Sequence, residues 1–461
     1  MLRCISPVDG SVYVERDYAN DAAIDSTLAA AQKASLDWKV ESIESRAAQC
    51  TRFVNAFCAQ SDQIAEELAW QMGRPIQYGP GEVRGFRERA ECMIALASSA
   101  LSDTELPEIE GFTRFVRKVP LGVVLTVAPW NYPLLTAVNS IVPALMAGNA
   151  VILKHSHQTP LCAERLVEAA NASGLPSGLF QFLHLSRDQT SQIIQSPIIS
   201  GVAFTGSVPG GEQMERAAAG RFIPVGLELG GKDPAYVRAD ANLDHAIENL
   251  VDGSFFNSGQ SCCGVERIYA HADIYDRFVD GVADLTKQYQ LGDPLDPTTT
   301  LGPMVRTSAA QFVRDQIDEA VNAGARTIID ATDFALDKTN SPYMAPQVMI
   351  DVDHSMRIMT EESFGPVVGI MKVHSDDEAI NLMNDSDLGL TASLWSADED
   401  TSLALGDRVN AGTIFLNRCD YLDPELAWTG VKNTGRGISL SHFGYDQLTQ
   451  AKSFHYRTKI D

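Results

Sequence analysis

No run of this 461-residue chain is apolar for long enough to cross a bilayer. The most apolar stretch, roughly Leu121 to Trp130, falls well short of the about 20 residues that a spanning helix needs. Basic residues are also scarce, with 36 Lys and Arg against 60 Asp and Glu and a formal net charge of −24. A chain with no basic surplus cannot neutralise phosphate backbones, so nucleic acid is excluded as a partner, as are anionic membrane surfaces. The first residues, Met1-Leu2-Arg3-Cys4-Ile5-Ser6-Pro7, carry no apolar secretory core. Eight scattered cysteines show neither a disulfide framework nor metal-ligand spacing. A cytoplasmic protein with no metal is expected. Low-complexity linkers and internal repeats are missing, and so is the usual Gly-x-Gly-x-x-Gly dinucleotide fingerprint.

What is present is long and patterned. The length exceeds what one hydrophobic core supports, so two large domains are expected. Residues 19–70 carry apolar positions at helical spacing through Phe53, Phe57, Ile64 and Leu68. From about residue 115 short apolar runs of strand type take over: 123–128, 150–153, 179–183, 201–204 and 224–229. Helical segments separate them, over 134–146, from Thr159-Pro160 to about Ala172, and over 212–219. Strands alternating with helices imply parallel βαβ units in an open, doubly wound α/β sheet, whose ligands bind at the strands' carboxyl ends. A second alternating region spans about 233–430.

Four segments carry chemistry. Cys262 ends Asn257-Ser258-Gly259-Gln260-Ser261-Cys262, a glycine-bearing approach that can display a thiol nucleophile and aim its backbone amide at a reacting oxygen. Most cysteines are buried structural thiols, and Cys263 beside it reads as one that could form a strained disulfide under oxidation. Glu228 closes an apolar strand ahead of Gly230-Gly231, a position for a base in a cleft or for a salt-bridged strand end. Gly206-Ser207 stands between a strand and a helix, a junction that either cradles a pyrophosphate or simply turns the chain. Asn131, between Pro129 and Pro133, offers an amide to an oxyanion or forms a turn.

Together and in this order, these segments resemble the aldehyde dehydrogenase superfamily. The residues that carry the resemblance are Pro129-Trp130-Asn131, Lys154, Phe204-Thr205-Gly206-Ser207 with Gly211, Glu228-Leu229-Gly230-Gly231-Lys232, Gly259-Gln260-Ser261-Cys262 and Glu361-Glu362-Ser363-Phe364-Gly365-Pro366. They span nearly the whole chain, with 34 residues from Glu228 to Cys262.

The resemblance implies a Rossmann-like cofactor-binding domain (1–101 and 121–232), an α/β catalytic domain (233–433) and a small β oligomerisation arm (102–120 and 446–461). It implies a homodimer or homotetramer, and an N-terminal hairpin that is short or missing. Cys262 would attack an aldehyde, Asn131 would hold the oxyanion, and Glu228 would activate the water that hydrolyses the thioester. Glu228 favours the hydrolytic branch over the CoA-acylating one. NAD or NADP would lie against Trp130, Lys154, His157, Gly206, Ser207, Gly211, Leu229, Glu362 and Phe364. His157 occupies the place where NAD-preferring members often carry a glutamate. A histidine does not repel the 2′-phosphate of NADP and, protonated, would pair with it. The substrate stays open, because Arg418 suits a carboxylate while Asp420, Asp423 and Glu425 suit a cation. Two rival readings are a cofactor-free cysteine hydrolase and a catalytically silent homologue.

Overall fold

The apolar runs of the first half form one six-stranded sheet in the computed structural model, which describes residues 1–460. Its order is Gly435–Arg436, Val225–Glu228, Ile199–Thr205, Val123–Val127, Ala150–Lys154 and Phe180–Phe182. Every neighbouring pair is parallel except the edge pair, in which Gly435 lies opposite Glu228. Val123–Val127 is buried at all its positions, as befits a parallel strand covered on both faces. From it the chain winds outward through 150–154 and 180–182, then returns to lay Ile199–Thr205 along the opposite flank. Strand order therefore reverses between Val127 and Thr205, and a crevice opens beyond the carboxyl ends there. Trp130 and Asn131 leave one of those ends; Gly206 and Ser207 leave the other.

The helical periodicity of 19–70 resolves into Asp21–Trp38, Ile43–Cys58 and Ser61–Met72. Asn20 and Ser42 accept hydrogen bonds from the first turns of the first two, which satisfies amides that have no partner within the helix. Pro133–Ala147 ends on Gly148, whose φ of 97° closes the helix in the left-handed region. Phe53, Phe57 and Phe86 meet edge-on or tilted in the core that these helices share with the sheet.

A second sheet has seven strands in the order Arg326–Thr327, Gln347–Ile350, Val367–Val373, Val265–His271, Asp233–Val237, Thr391–Trp395 and Thr413–Leu416. It is parallel apart from its first pair. Cys262 lies three residues before Val265, at the amino edge of its strand, so here the carboxyl-end rule does not place the expected nucleophile. Thr104–Glu105, Phe112–Pro120 and Thr449–Arg457 make a third, antiparallel sheet in register from Thr449 opposite Pro120 to Arg457 opposite Phe112. Residue 461, the last of the expected arm, lies outside the described residues.

The N-terminal hairpin is present, with Leu2–Ile5 paired to Val12–Arg16. Cys4 and Val14 bury themselves against Leu161 on the helix Pro160–Ala172, which holds the hairpin in place. Among the described residues no helix is long and apolar enough to cross a membrane.

Candidate active site

The segment that delivers Cys262 is strained. Helix Leu243–Phe255 ends, and Asn257, Ser258 and Gly259 follow with φ of 54°, 57° and 67°. A side-chain-bearing residue in this region costs about 1–3 kcal/mol, so neighbours must hold two of them in place. Asn257 donates from Nδ2 to the carbonyls of Asn131 (3.2 Å) and Gln260 (3.1 Å), and its Oδ1 accepts from Arg74 Nε (3.2 Å). Ser258 Oγ donates to Gly302 O (2.8 Å). Gln260 Oε1 accepts from the Val305 amide (2.8 Å). A Cβ on Gly259 would lie 2.2 Å from Gly365 O, and one on Gly231 would lie 2.2 Å from Cys262 O. Only glycine lets these three chain segments pass so closely.

Arg74 anchors the assembly. Fully buried, it forms an ion pair with Glu82 and donates from Nη2 to Asn131 O (2.6 Å). Glu82 also accepts from the Leu134 amide (2.9 Å), which fixes the start of Pro133–Ala147. Asn131 is thereby tied to the nucleophile turn, and its Nδ2 donates to Gln260 O (3.2 Å) two residues before Cys262.

Cys262, Cys263, Glu228, Leu229, Arg89 and Asp420 are among the residues that line one cavity of about 430 Å3. Burial pushes the Glu228 carboxyl above its ordinary value, while Thr205 Oγ1 donates to it at 3.0 Å. Asp420 accepts from Ser261 Oγ (2.9 Å) and Cys263 Sγ (3.0 Å), and burial raises its carboxyl to about 6. The adjacent Cys262 thiol, with burial and Asp420, holds the Cys263 thiol protonated. Arg89 donates to Leu135 O (2.8 Å) and Asn139 Oδ1 (3.2 Å), but it has no carboxylate partner among the described residues. Arg418 instead lies on the Tyr421 ring, 3.4 Å from its centroid.

Trp130, Gln260, Glu362 and Phe364 border a neighbouring cavity of about 310 Å3. The Trp130 and Phe364 rings meet edge to face at 5.7 Å. Glu362 Oε1 accepts from the Gly231 amide (2.9 Å), and burial, with Glu266 nearby, lifts its carboxyl to about 8. Glu266 shapes this loop by accepting from the amides of Ser363 (2.8 Å) and Phe364 (2.8 Å) while pairing with buried Lys232 at 2.5 Å.

Ser207 caps helix Val208–Ala218, accepting from the Gly210 amide at 3.4 Å. The Gly206 amide is already given to Glu228 O (3.0 Å). Gly211 lies within that helix, where a Cβ would come within 2.7 Å of Leu229, so its evident service is close packing of helix on strand. Lys154 ends its strand with no ion-pair partner among the described residues, and burial, then Arg187, lowers its ammonium to about 8. Burial, Lys154 and Arg187 together keep His157 below its ordinary value, with its Nε2 2.8 Å from Leu185 O. His157 is thus held neutral in the free protein, and the positive charge beside it is that of Lys154 and Arg187.

The fold thus gathers Cys262, Glu228 and Leu229 at one cavity, with Asn131 joined to them through Gln260. Trp130, Glu362 and Phe364 adjoin it, Gly206, Ser207 and Gly211 follow along the helix junction, and Lys154 and His157 stand at the neighbouring strand's end. Sequence reasoning passed over Arg74, Glu82, Arg89, Asn257, Glu266 and Arg187. A signal existed for Glu82, a charge beside Val83 and Phe86 on the buried face of the helix Gly79–Ala100.

A model of the aldehyde dehydrogenase family matches residues 1–454. The chain is 34% identical over 456 residues to succinate-semialdehyde dehydrogenase [NADP(+)] 1 of Mycobacterium tuberculosis, covering 98% of this chain and 99% of that protein. It superposes with a TM-score of 0.94 and 30% identity on succinic semialdehyde dehydrogenase from Streptococcus pyogenes in complex with NADP+, covering 99% and 100% of the two chains. PnpE in complex with nicotinamide adenine dinucleotide gives a TM-score of 0.94 at 28% identity, covering 100% and 95%.

Proposed function

The chain belongs to the aldehyde dehydrogenase family, and we propose that it oxidises a short aldehyde bearing a carboxylate to the diacid, with NADP preferred over NAD. NAD(P)-dependent aldehyde oxidation comes with the family; the residue roles, the substrate and the cofactor preference are inferred. The observation that carries the mechanism is that Cys262 and Glu228 share one cavity.

The Cys262 thiolate attacks the carbonyl carbon, forming a C–S bond and an oxyanion. Asn131 Nδ2 and the Cys262 amide stabilise that oxygen, Asn131 exchanging its bond to Gln260 O for the stronger acceptor. A bound nicotinamide cofactor would supply the acceptor for the hydride and its two electrons, so that the carbon would be left as a thioester on Cys262. Glu228 then removes a proton from water as the water oxygen attacks. The C–S bond breaks, the acid departs, and the thiolate is restored.

The residues present suit such a cofactor. Glu362, Trp130 and Phe364 would hold the nicotinamide end, and Ser207, at the start of an 11-residue helix, would face the pyrophosphate. Unpaired Lys154 with Arg187 supplies the positive charge that a 2′-phosphate needs, which favours NADP.

For the substrate, the conflict between Arg418 and Asp420 eases. Arg418 is stacked on Tyr421, and Asp420 is engaged by Ser261 and Cys263. Arg89 is a buried cavity cation that forms no ion pair, with Glu228 and Glu88 only within Coulombic reach, and burying such a charge is costly unless something pairs with it. A substrate carboxylate does so. Comparing succinate semialdehyde with butanal tests this. Arg89→Met should lower kcat/KM for the semialdehyde about 100-fold, or 2.7 kcal/mol, and far less for butanal. Equal losses for both would refute the anchor.

A further inference from the structure

Arg89 and Asp420 border the same cavity beside Cys262, and neither forms an ion pair among the described residues. Arg89 is only 8% exposed, and its hydrogen bonds to Leu135 O and Asn139 Oδ1 both come from Nη1, so Nη2 and Nε are uncommitted. Asp420 accepts from Ser261 and Cys263 on Oδ1 alone, which leaves Oδ2 free. The same bonds fix both side chains, so the two charges cannot swing together across the cavity. Cys263 stands between them: its thiol donates to Asp420 Oδ1 at 3.0 Å and is the first group within Coulombic reach of Arg89. Burial, with Asp252 nearby, raises the Asp420 carboxyl, as it does for an anion short of a cation. Asp252 also borders the cavity, and it too forms no ion pair among the described residues. A buried cation alone calls for an anion, and a buried anion alone calls for a cation. A cavity that holds one of each, apart, calls for a ligand that carries both.

We propose that the carboxylate-bearing aldehyde is an α-amino acid semialdehyde, with its carboxylate on Arg89 and its ammonium on Asp420 Oδ2. The inference rests on the carboxylate role given to Arg89 and adds a second charge to the substrate. Both anchors stand beside Cys263, the residue after Cys262, so the two charged groups belong on one carbon a few bonds from the aldehyde. The aldehyde carbon gives up a hydride to the nicotinamide and gains a hydroxyl from water. Two protons are released as the acid forms and ionises, and the product is an amino diacid. The ammonium takes no part in this exchange and keeps its protons. Attachment to Cys262, with Arg89 and Asp420, fixes the substrate at three points, so only one hand of its stereocentre fits.

The full-length enzyme with NADP tests this on succinate semialdehyde and on each enantiomer of 2-amino-4-oxobutanoate. The amino compound differs from succinate semialdehyde by one ammonium and is too short to close a stable ring on its own amine. Its favoured enantiomer should exceed both succinate semialdehyde and the other enantiomer about tenfold in kcat/KM. Asp420→Asn keeps an acceptor for Ser261 and Cys263 but loses the charge. It should lower kcat/KM for the favoured enantiomer about 30-fold more than for succinate semialdehyde, and it should remove most of the choice between enantiomers. If Asp420→Asn does not fold, the parent enzyme decides with the N-acetyl compound, whose ammonium is gone and whose advantage over succinate semialdehyde should vanish. An amino substrate no better than succinate semialdehyde, an advantage kept after acetylation, or an Asp420→Asn loss shared equally by both substrates overturns the proposal and leaves the carboxylate anchor standing. An Arg89→Met loss equal for succinate semialdehyde and butanal would instead contradict the proposed function.

Discussion

On the six-stranded side of the crevice, the site residues leave the carboxyl ends of buried apolar strands, and their places follow from strand order and a helix N-terminus. On the seven-stranded side, Cys262 precedes its strand and hangs on a left-handed turn. That turn is held by a buried polar network of Arg74, Glu82, Asn131, Asn257 and Gln260. The cofactor side is thus shaped by packing, and the nucleophile side by hydrogen bonds that must all be made. Packing tolerates substitution by degrees, whereas a half-satisfied buried network is worse than none. Mutations on the two sides should therefore fail differently.

The largest effect is expected at the nucleophile. Cys262→Ala should abolish aldehyde-dependent cofactor reduction, while NADP affinity, measured by fluorescence titration, stays within a few-fold. Next comes Glu228→Gln, for which steady-state turnover should fall by about 10²–10⁴ with the first-turnover burst largely kept. Breaking the scaffold tests the contrast itself. Arg74→Met leaves Glu82 buried and alone and should lower unfolding stability by about 3–5 kcal/mol in denaturant melts. A removal on the packed side, Arg187→Ala, should cost about tenfold in kcat/KM for NADP, near 1.4 kcal/mol, with no loss of stability and little change for NAD. A matching collapse in stability there would erase the distinction. Smallest is Thr205→Val, which removes a bond to the Glu228 carboxylate. Burial already raises that carboxyl, and hydrolysis needs its charged form, so the rate falls as pH drops through its pKa. Losing Thr205 moves this acid limb to higher pH and costs about threefold at neutral pH.

The same contrast governs what could be read from sequence. Apolar pentads such as Val123–Val127 and the helix from Pro160 to Ala172 were legible because period and terminal signals are local. The family was legible in the order and spacing of the segments that carry Asn131, Glu228 and Cys262, and the last two line one cavity. Arg74 and Glu266 were not, because a buried charge declares its purpose only through partners distant in the chain: Glu82 and Asn131 for the one, Lys232 and the 363–364 amides for the other. His157 was read from its place after Lys154, whereas its neutral state follows from burial and from Lys154 and Arg187, the latter some 30 residues on. The N-terminal hairpin, expected short or missing, is short, and its packing on Leu161 is another contact between positions far apart in the chain.

Central to this account is an acyl group carried on Cys262 and released by Glu228. Glu228→Gln, mixed with NADP and succinate semialdehyde and quenched after one turnover, should yield a peptide acylated at Cys262 and one equivalent of reduced cofactor. An acyl group on Cys263 instead, or reduced cofactor with no protein adduct, would contradict it.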